Sequence, residues 1–112
     1  MKKSEVKFTI GLDDNNIPVS IDWEAAEGHE KSECKALLIS LWDRKEENTL
    51  RIDLWTKDMM VGDMKRFFHQ SLISMAETFK RSTSEAEMAE EMLAFGRHFG
   101  EKMELIKKTE SH

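Results

Sequence analysis

At 112 residues the chain has the length of one domain, and a chain of this size buries roughly two-thirds of its unfolded surface, so it should need neither disulfide nor metal to fold. Cys34 is the only cysteine, which excludes an intramolecular disulfide and a multi-cysteine zinc site. The 22 acidic and 17 basic residues give a formal charge of -5, and the lysines are dispersed among carboxylates, which argues against the basic face that nucleic acid binding requires.

The N-terminal MKKSEVKF alternates in character and contains no apolar run of about 7 to 15 residues such as a secretory signal needs. No stretch approaches the roughly 20 apolar residues of a membrane span. The expectation is a cytoplasmic protein with no membrane insertion. Val6, Phe8, Ile10 and Leu12 then alternate with polar or small residues, as do Ile17, Val19, Ile21 and Trp23. Period two on both sides of Asp13-Asp14-Asn15-Asn16 predicts a β-hairpin. Pairing Leu12 with Ile17 sets Ile10 opposite Val19, Phe8 opposite Ile21, Val6 opposite Trp23 and, on the other face, Lys7 opposite Asp22. Pro18 lacks an amide proton, which puts its strand at a sheet edge or puts the proline at the strand's start.

Glu24 to Ser32 is acidic and poor in apolar residues and reads as a loop; His29 within it reads as a solvated loop histidine. Ala36–Trp42 and Leu50–Trp55 predict a second hairpin around the charged turn Asp43 to Asn48. Pairing Leu41 with Leu50 sets Ile39 opposite Ile52 and Leu37 opposite Leu54 on one face. The other face then carries Leu38, Ser40 and Trp42 from one strand and Arg51, Asp53 and Trp55 from its partner. Apolar residues on both sides break the simple inside-outside alternation. A contiguous patch of Leu38, Trp42 and Trp55, ringed by Arg51 and Asp53, has the composition of a protein interface with a polar rim.

After a turn at Thr56 to Gly62, Val61, Met64, Phe68, Leu72, Met75 and Phe79 recur at helical spacing and predict a long amphipathic helix, with Ile73 outside the stripe and exposed and His69 on its flank. Ser82-Thr83-Ser84 ends it, and Ser84 with Glu87 forms the capping-box pattern of a second helix. Met88, Met92, Phe95, Phe99, Met103 and Ile106 form that helix's stripe. Gly96 and Gly100 let it approach the first helix closely. Lys107 to His112 should fray.

Motifs for chemistry are absent. There is no glycine-rich phosphate loop, no G-x-S-x-G elbow, no H-E-x-x-H and no Cys/His ladder. His29, His69, His98 and His112 show no metal-ligand spacing. No catalytic, cofactor-binding or metal residue is assigned. Strands segregated before helices favour an α+β fold, with a four-stranded, largely antiparallel sheet of two hairpins followed by two antiparallel helices packed on one face.

The runs KALLISLWD (35–43), LRIDLWTKDM (50–59), MKRFFHQSL (64–72) and SMAETF (74–79) make the chain resemble the gliding-motility protein GldC family of gliding Bacteroidetes, over Ser4 to about Lys107. The resemblance implies a single GldC-like domain and a non-enzymatic, soluble accessory of gliding motility. Such a protein would bind a partner of the gliding machinery or associate with itself as a homodimer, without a cofactor. The alternative from another class is a small ligand-binding or enzymatic α+β domain with a pocket between sheet and helices.

Overall fold

The computed structural model describes residues 1–25 and 30–108, and the chain divides into two compact units, Met1–Met59 and Met60–His112. His29 and His112 lie outside the described residues. The fold is α+β, with the strands in the first unit and the helices in the second: β1 (Val6–Leu12), β2 (Pro18–Ala25), β3 (Glu30–Cys34), β4 (Ala36–Trp42), β5 (Thr49–Trp55), α1 (Val61–Thr83) and α2 (Ala86–Lys102). In place of one four-stranded sheet there are two antiparallel sheets, β1-β2-β3 and β4-β5.

The added strand is β3, which begins inside the segment expected to be a loop. It pairs with β2 so that Ile21 faces Cys34, Trp23 faces Ser32 and Glu24 faces Lys31. Its composition is polar because it is an edge strand. Charged side chains there deter pairing with other chains, while the backbone hydrogen bonds saturate β2. That makes β2 the central strand, with Ile21 only 1% exposed, and Pro18 stands at its start, where no amide proton is needed.

The register of the first hairpin differs from expectation by two residues. Phe8 faces Trp23, Ile10 faces Ile21, Val6 faces Ala25 and Lys7 faces Glu24, with a bulge between Gly11 and Leu12 that brings Leu12 to Pro18. Leu12 does not pair with Ile17 because Asp13 belongs to the ladder: its amide donates to the Ile17 carbonyl at 3.0 Å. The loop is thereby shortened to three residues ending in Asn16, whose φ of 61° is left-handed. A shift of two leaves the paired side chains from Val6 to Gly11 on the faces that the alternation assigns them, and only beyond the bulge, where Leu12 meets Pro18, does the assignment change. The second hairpin has the expected register, with Leu41 on Leu50, Ile39 on Ile52 and Leu37 on Leu54.

The chain passes from one sheet to the other through Lys35 alone. The Thr56 amide donates to the Lys35 carbonyl at 2.8 Å, and the Lys57 amide donates to the Pro18 carbonyl at 3.1 Å. Thr56 is 2% exposed, and its hydroxyl, bonded to Asp58 and within 3.3 Å of the Lys35 carbonyl oxygen, is satisfied in this corner.

In the second unit the helices are antiparallel, as Gly96 lying against Ile73 and Gly100 against His69 shows. A Cβ on Gly96 would come within 2.6 Å of Ile73 Cδ1, and one on Gly100 within 2.7 Å of His69 Nε2. Ala76 and Ala89 are also buried, so small residues set the close approach. Ile73, expected to be exposed, thus belongs to this seam. The expected capping box at Ser84 does not form. Ser84 is instead the left-handed C-cap of α1, its amide donating to Lys80, and Glu85 occupies the N-cap of α2 without a side-chain hydrogen bond. The Thr83 hydroxyl accepts from the Glu85 amide at 3.1 Å in its stead.

Helix α2 ends at Lys102, before Ile106. Leu105 N–H donates to the Gly100 carbonyl and Glu104 N–H to that of Glu101, the paired bonds of a Schellman cap. Glu104 takes the left-handed position at φ 60°.

Candidate protein-interaction face

The β4–β5 register places all five candidate residues on one face: Leu38 opposite Asp53, Ser40 opposite Arg51, Trp42 opposite Thr49 and Ala36 opposite Trp55. Strand alternation alone puts them there. The charged turn that closes the ladder is held by Asp43, whose amide donates to the Asn48 carbonyl at 2.9 Å and whose carboxylate accepts from the Glu46 amide at 2.7 Å.

The tryptophans do not form one cluster. Six residues of strand separate Trp55 from the level of Trp42, roughly 20 Å at strand rise. Arg51 and Asp53 occupy the ground between them and do not ring them. The Arg51 guanidinium reaches Asp53 with both Nη2 (2.8 Å) and Nε (3.2 Å), and its remaining terminal nitrogen bonds the Ser40 hydroxyl. The hydrogen bonding to Asp53, with the charge of Asp53 second, raises the Arg51 pKa above its ordinary value. The pair is exposed and adds little stability; its effect is to fix a flat, polar centre. Trp42 and Trp55 are 69% and 55% exposed, while Leu38 is half-buried.

Residues absent from the sequence expectation complete the Trp55 end. Ile17 and Pro18 join Asp53, Leu54 and Trp55 around a shallow groove of about 250 Å³. The Lys57–Pro18 backbone bond brings these segments together, a contact with no local sequence signal.

A second pocket in the first unit, of about 230 Å³, is lined by Ser20, Ile21, Glu33, Cys34, Lys35, Thr56 and Asp58 among others. Burial pushes the Cys34 thiol up, with an opposing hydrogen bond from the Ala36 amide and a further upward push from Asp22. The Thr56 hydroxyl holds Asp58 below the usual carboxylate value, Lys35 assisting. A neutral thiol beside an ionised, already hydrogen-bonded carboxylate is neither an activated nucleophile nor a poised base. Among the described residues no group of three or more His, Cys, Asp or Glu could hold a metal ion.

A family model described as gliding motility-associated protein GldC-like matches residues 18–105. The chain belongs to the GldC-like family. No curated protein and no solved structure gives a significant match. Membership associates this GldC-like chain with gliding motility, and among its described residues no helix is long and apolar enough to cross a membrane.

Proposed function

We propose that this GldC-like protein is a non-enzymatic, cytoplasmic accessory of gliding motility that works by binding a protein of the gliding machinery through the β4–β5 face. The observation that carries the reading is the exposure of Trp42 and Trp55 on one side of a hairpin whose other side carries the Leu37, Ile39 and Leu41 ladder. Tryptophan and arginine are the side chains that most often dominate binding energy when a partner desolvates them. The fixed Arg51–Asp53 pair supplies polar register between the two aromatic anchors. The family match runs through both units, which supports treating the chain as one domain.

The test is to replace the native protein in a gliding cell by Leu38→Ser with Trp55→Ser. Circular dichroism and cellular abundance establish that the variant is folded and present. The expected outcome is loss of colony spreading together with loss of a co-purifying machinery protein. Normal spreading by the folded variant would remove the face from the function.

A further inference from the structure

Strand β5 has one neighbour in its sheet, and the ladder to β4 decides which of its backbone groups are used. The Lys35–Thr56 bond at one end and the Asp43–Asn48 bond at the other continue the register of the strands. Hydrogen bonding along an antiparallel pair alternates, so Leu50, Ile52 and Leu54 bond inward to β4. Thr49, Arg51, Asp53 and Trp55 then point their N–H and C=O groups out of the free edge, where no backbone bond among the described residues takes them up. Every residue of β5 except Leu54 is exposed.

Other edges in this unit are guarded. Strand β3 is charged at Glu30, Lys31 and Glu33, and β1 is bulged between Gly11 and Leu12. Strand β5 holds no proline, glycine or lysine and no bulge, the features that make an edge refuse a partner, and its two charged side chains pair with each other. The open edge is also bounded. The next outward amide, that of Lys57, is bonded to the Pro18 carbonyl, and before Thr49 lies the turn from β4.

We propose that this edge takes up the same edge of a second copy of the chain. Strand β5 pairs antiparallel with its counterpart about a two-fold axis at Ile52, which joins two hairpins into one four-stranded sheet. A two-fold interface must be complementary to itself, and the charges of β5 are so in one register. Only residues whose backbone points outward exchange hydrogen bonds across the axis, so the register moves in steps of two residues. With Ile52 facing Ile52, Arg51 stands opposite Asp53 of the second copy, Leu50 opposite its Leu54 and Thr49 opposite its Trp55. A step one way sets Arg51 against Arg51, and a step the other way sets Asp53 against Asp53. Like charges directly opposed destabilise a strand pair. Because Ile52 is the middle residue of Thr49–Trp55, the favoured register is also the one that uses the whole bounded edge.

Arg51 has donors for both carboxylates. Nε, Nη1 and Nη2 each give one hydrogen to Asp53 or Ser40, and Nη1 and Nη2 each retain a second. The outward positions of β4, which are Ala36, Leu38, Ser40 and Trp42, hold no charge that could select a register. The pairing also gathers the tryptophans. Trp55 falls in line with Thr49 and then Trp42 of the second copy, two strand spacings or about 10 Å away, whereas within one chain the two stand at opposite ends of the face.

Light scattering on the full chain should give about twice 13.1 kDa. Arg51→Asp should give the single-chain mass with unchanged circular dichroism, and Arg51→Asp with Asp53→Arg should return it to double. Single-chain mass for the wild type, as an edge reserved for another protein's strand would give, overturns the proposal. A folded Arg51→Asp that keeps the double mass does so too. A single thiol reads the register even if the charge variants unfold. In a Cys34→Ser background, Ile52→Cys lies on the axis, where facing Cα atoms are about 4.5 Å apart and within disulfide reach. Leu50→Cys faces Leu54 instead, with its own counterpart about 13 Å further along the strand. Mild oxidation should cross-link Ile52→Cys chains at least tenfold faster than Leu50→Cys chains, and equal rates or no cross-link overturn the proposal. These readings use the purified chain without any machinery protein. Their failure is therefore distinct from normal spreading by the folded Leu38→Ser with Trp55→Ser variant.

Discussion

Asp13 holds the first turn with both of its carboxylate oxygens. Oδ1 accepts from the Asn15 and Ile17 amides at 2.8 and 3.1 Å, and Oδ2 lies 3.2 Å from Lys57 Nζ. The Ile17 amide, then that of Asn15, keep its pKa below 3.8, with Lys57 a smaller contributor. A carboxylate with a depressed folded pKa stabilises the fold above its unfolded value and loses that contribution as pH falls through the folded one. Asp13→Ala should therefore have a lower urea midpoint than wild type at pH 7, and the gap should close between about pH 4 and pH 2. Because the group is at the surface the gap is modest. Urea titrations of both proteins at four pH values check this, and a gap that persists at pH 2 contradicts it. At this scale the sequence was readable where one residue's chemistry sufficed, as with Pro18 at a strand start. It was misread at Ser84, where two helix ends compete for one residue and the left-handed cap of α1 prevails over the capping box of α2.

Elements were legible in proportion to how far each carries its own reason for forming. Strands β4 and β5 pair in the predicted register because opposed leucines and isoleucines specify it. Strand β3 has no such pattern, and it is a strand only because β2 offers it an unpaired edge. Both helices were visible from their stripes, and Gly96 and Gly100, expected to bring α2 close to α1, lie at that seam against Ile73 and His69, with Ala76 and Ala89 also buried. The five candidate site residues share a face as alternation dictates, but their order along it, polar between aromatic ends, follows from register. One element-scale prediction concerns the α2 cap. A non-glycine residue at φ 60° costs roughly 1–2 kcal/mol, partly offset in glycine by the entropy it loses on folding. Glu104→Gly should raise stability by about 0.5–1 kcal/mol, read as a higher denaturant midpoint. An unchanged or lower midpoint would mean that the cap is not formed in solution.

For the molecule as a whole, association and folding should be one equilibrium. Large apolar side chains remain open in both units, among them Phe8, Leu41, Trp42, Ile52, Phe68 and Phe95, whereas the fully buried positions of the helical unit are alanines and glycines. A chain built this way gains much of its stability from whatever covers those faces. A homodimer formed over any of these faces would lose about 1.4 kcal/mol of apparent unfolding free energy with each tenfold dilution. Urea midpoints measured across three decades of concentration test this, and superimposable curves contradict it.

The Lys35–Thr56 corner bears on the order in which the first unit assembles. Each β–β ladder joins strands that are neighbours in sequence, so each hairpin can close as soon as its second strand is available, at small cost in loop entropy. Beyond the Lys35–Thr56 pair, which extends the β4–β5 ladder by one step, the corner reaches further along the chain: the Lys57 amide meets the Pro18 carbonyl and Lys57 Nζ meets Asp13 across 44 residues. Neither contact can form until the second hairpin is complete. The corner is therefore the late step of folding, and substitutions at Thr56 should accelerate unfolding while leaving the refolding rate nearly unchanged.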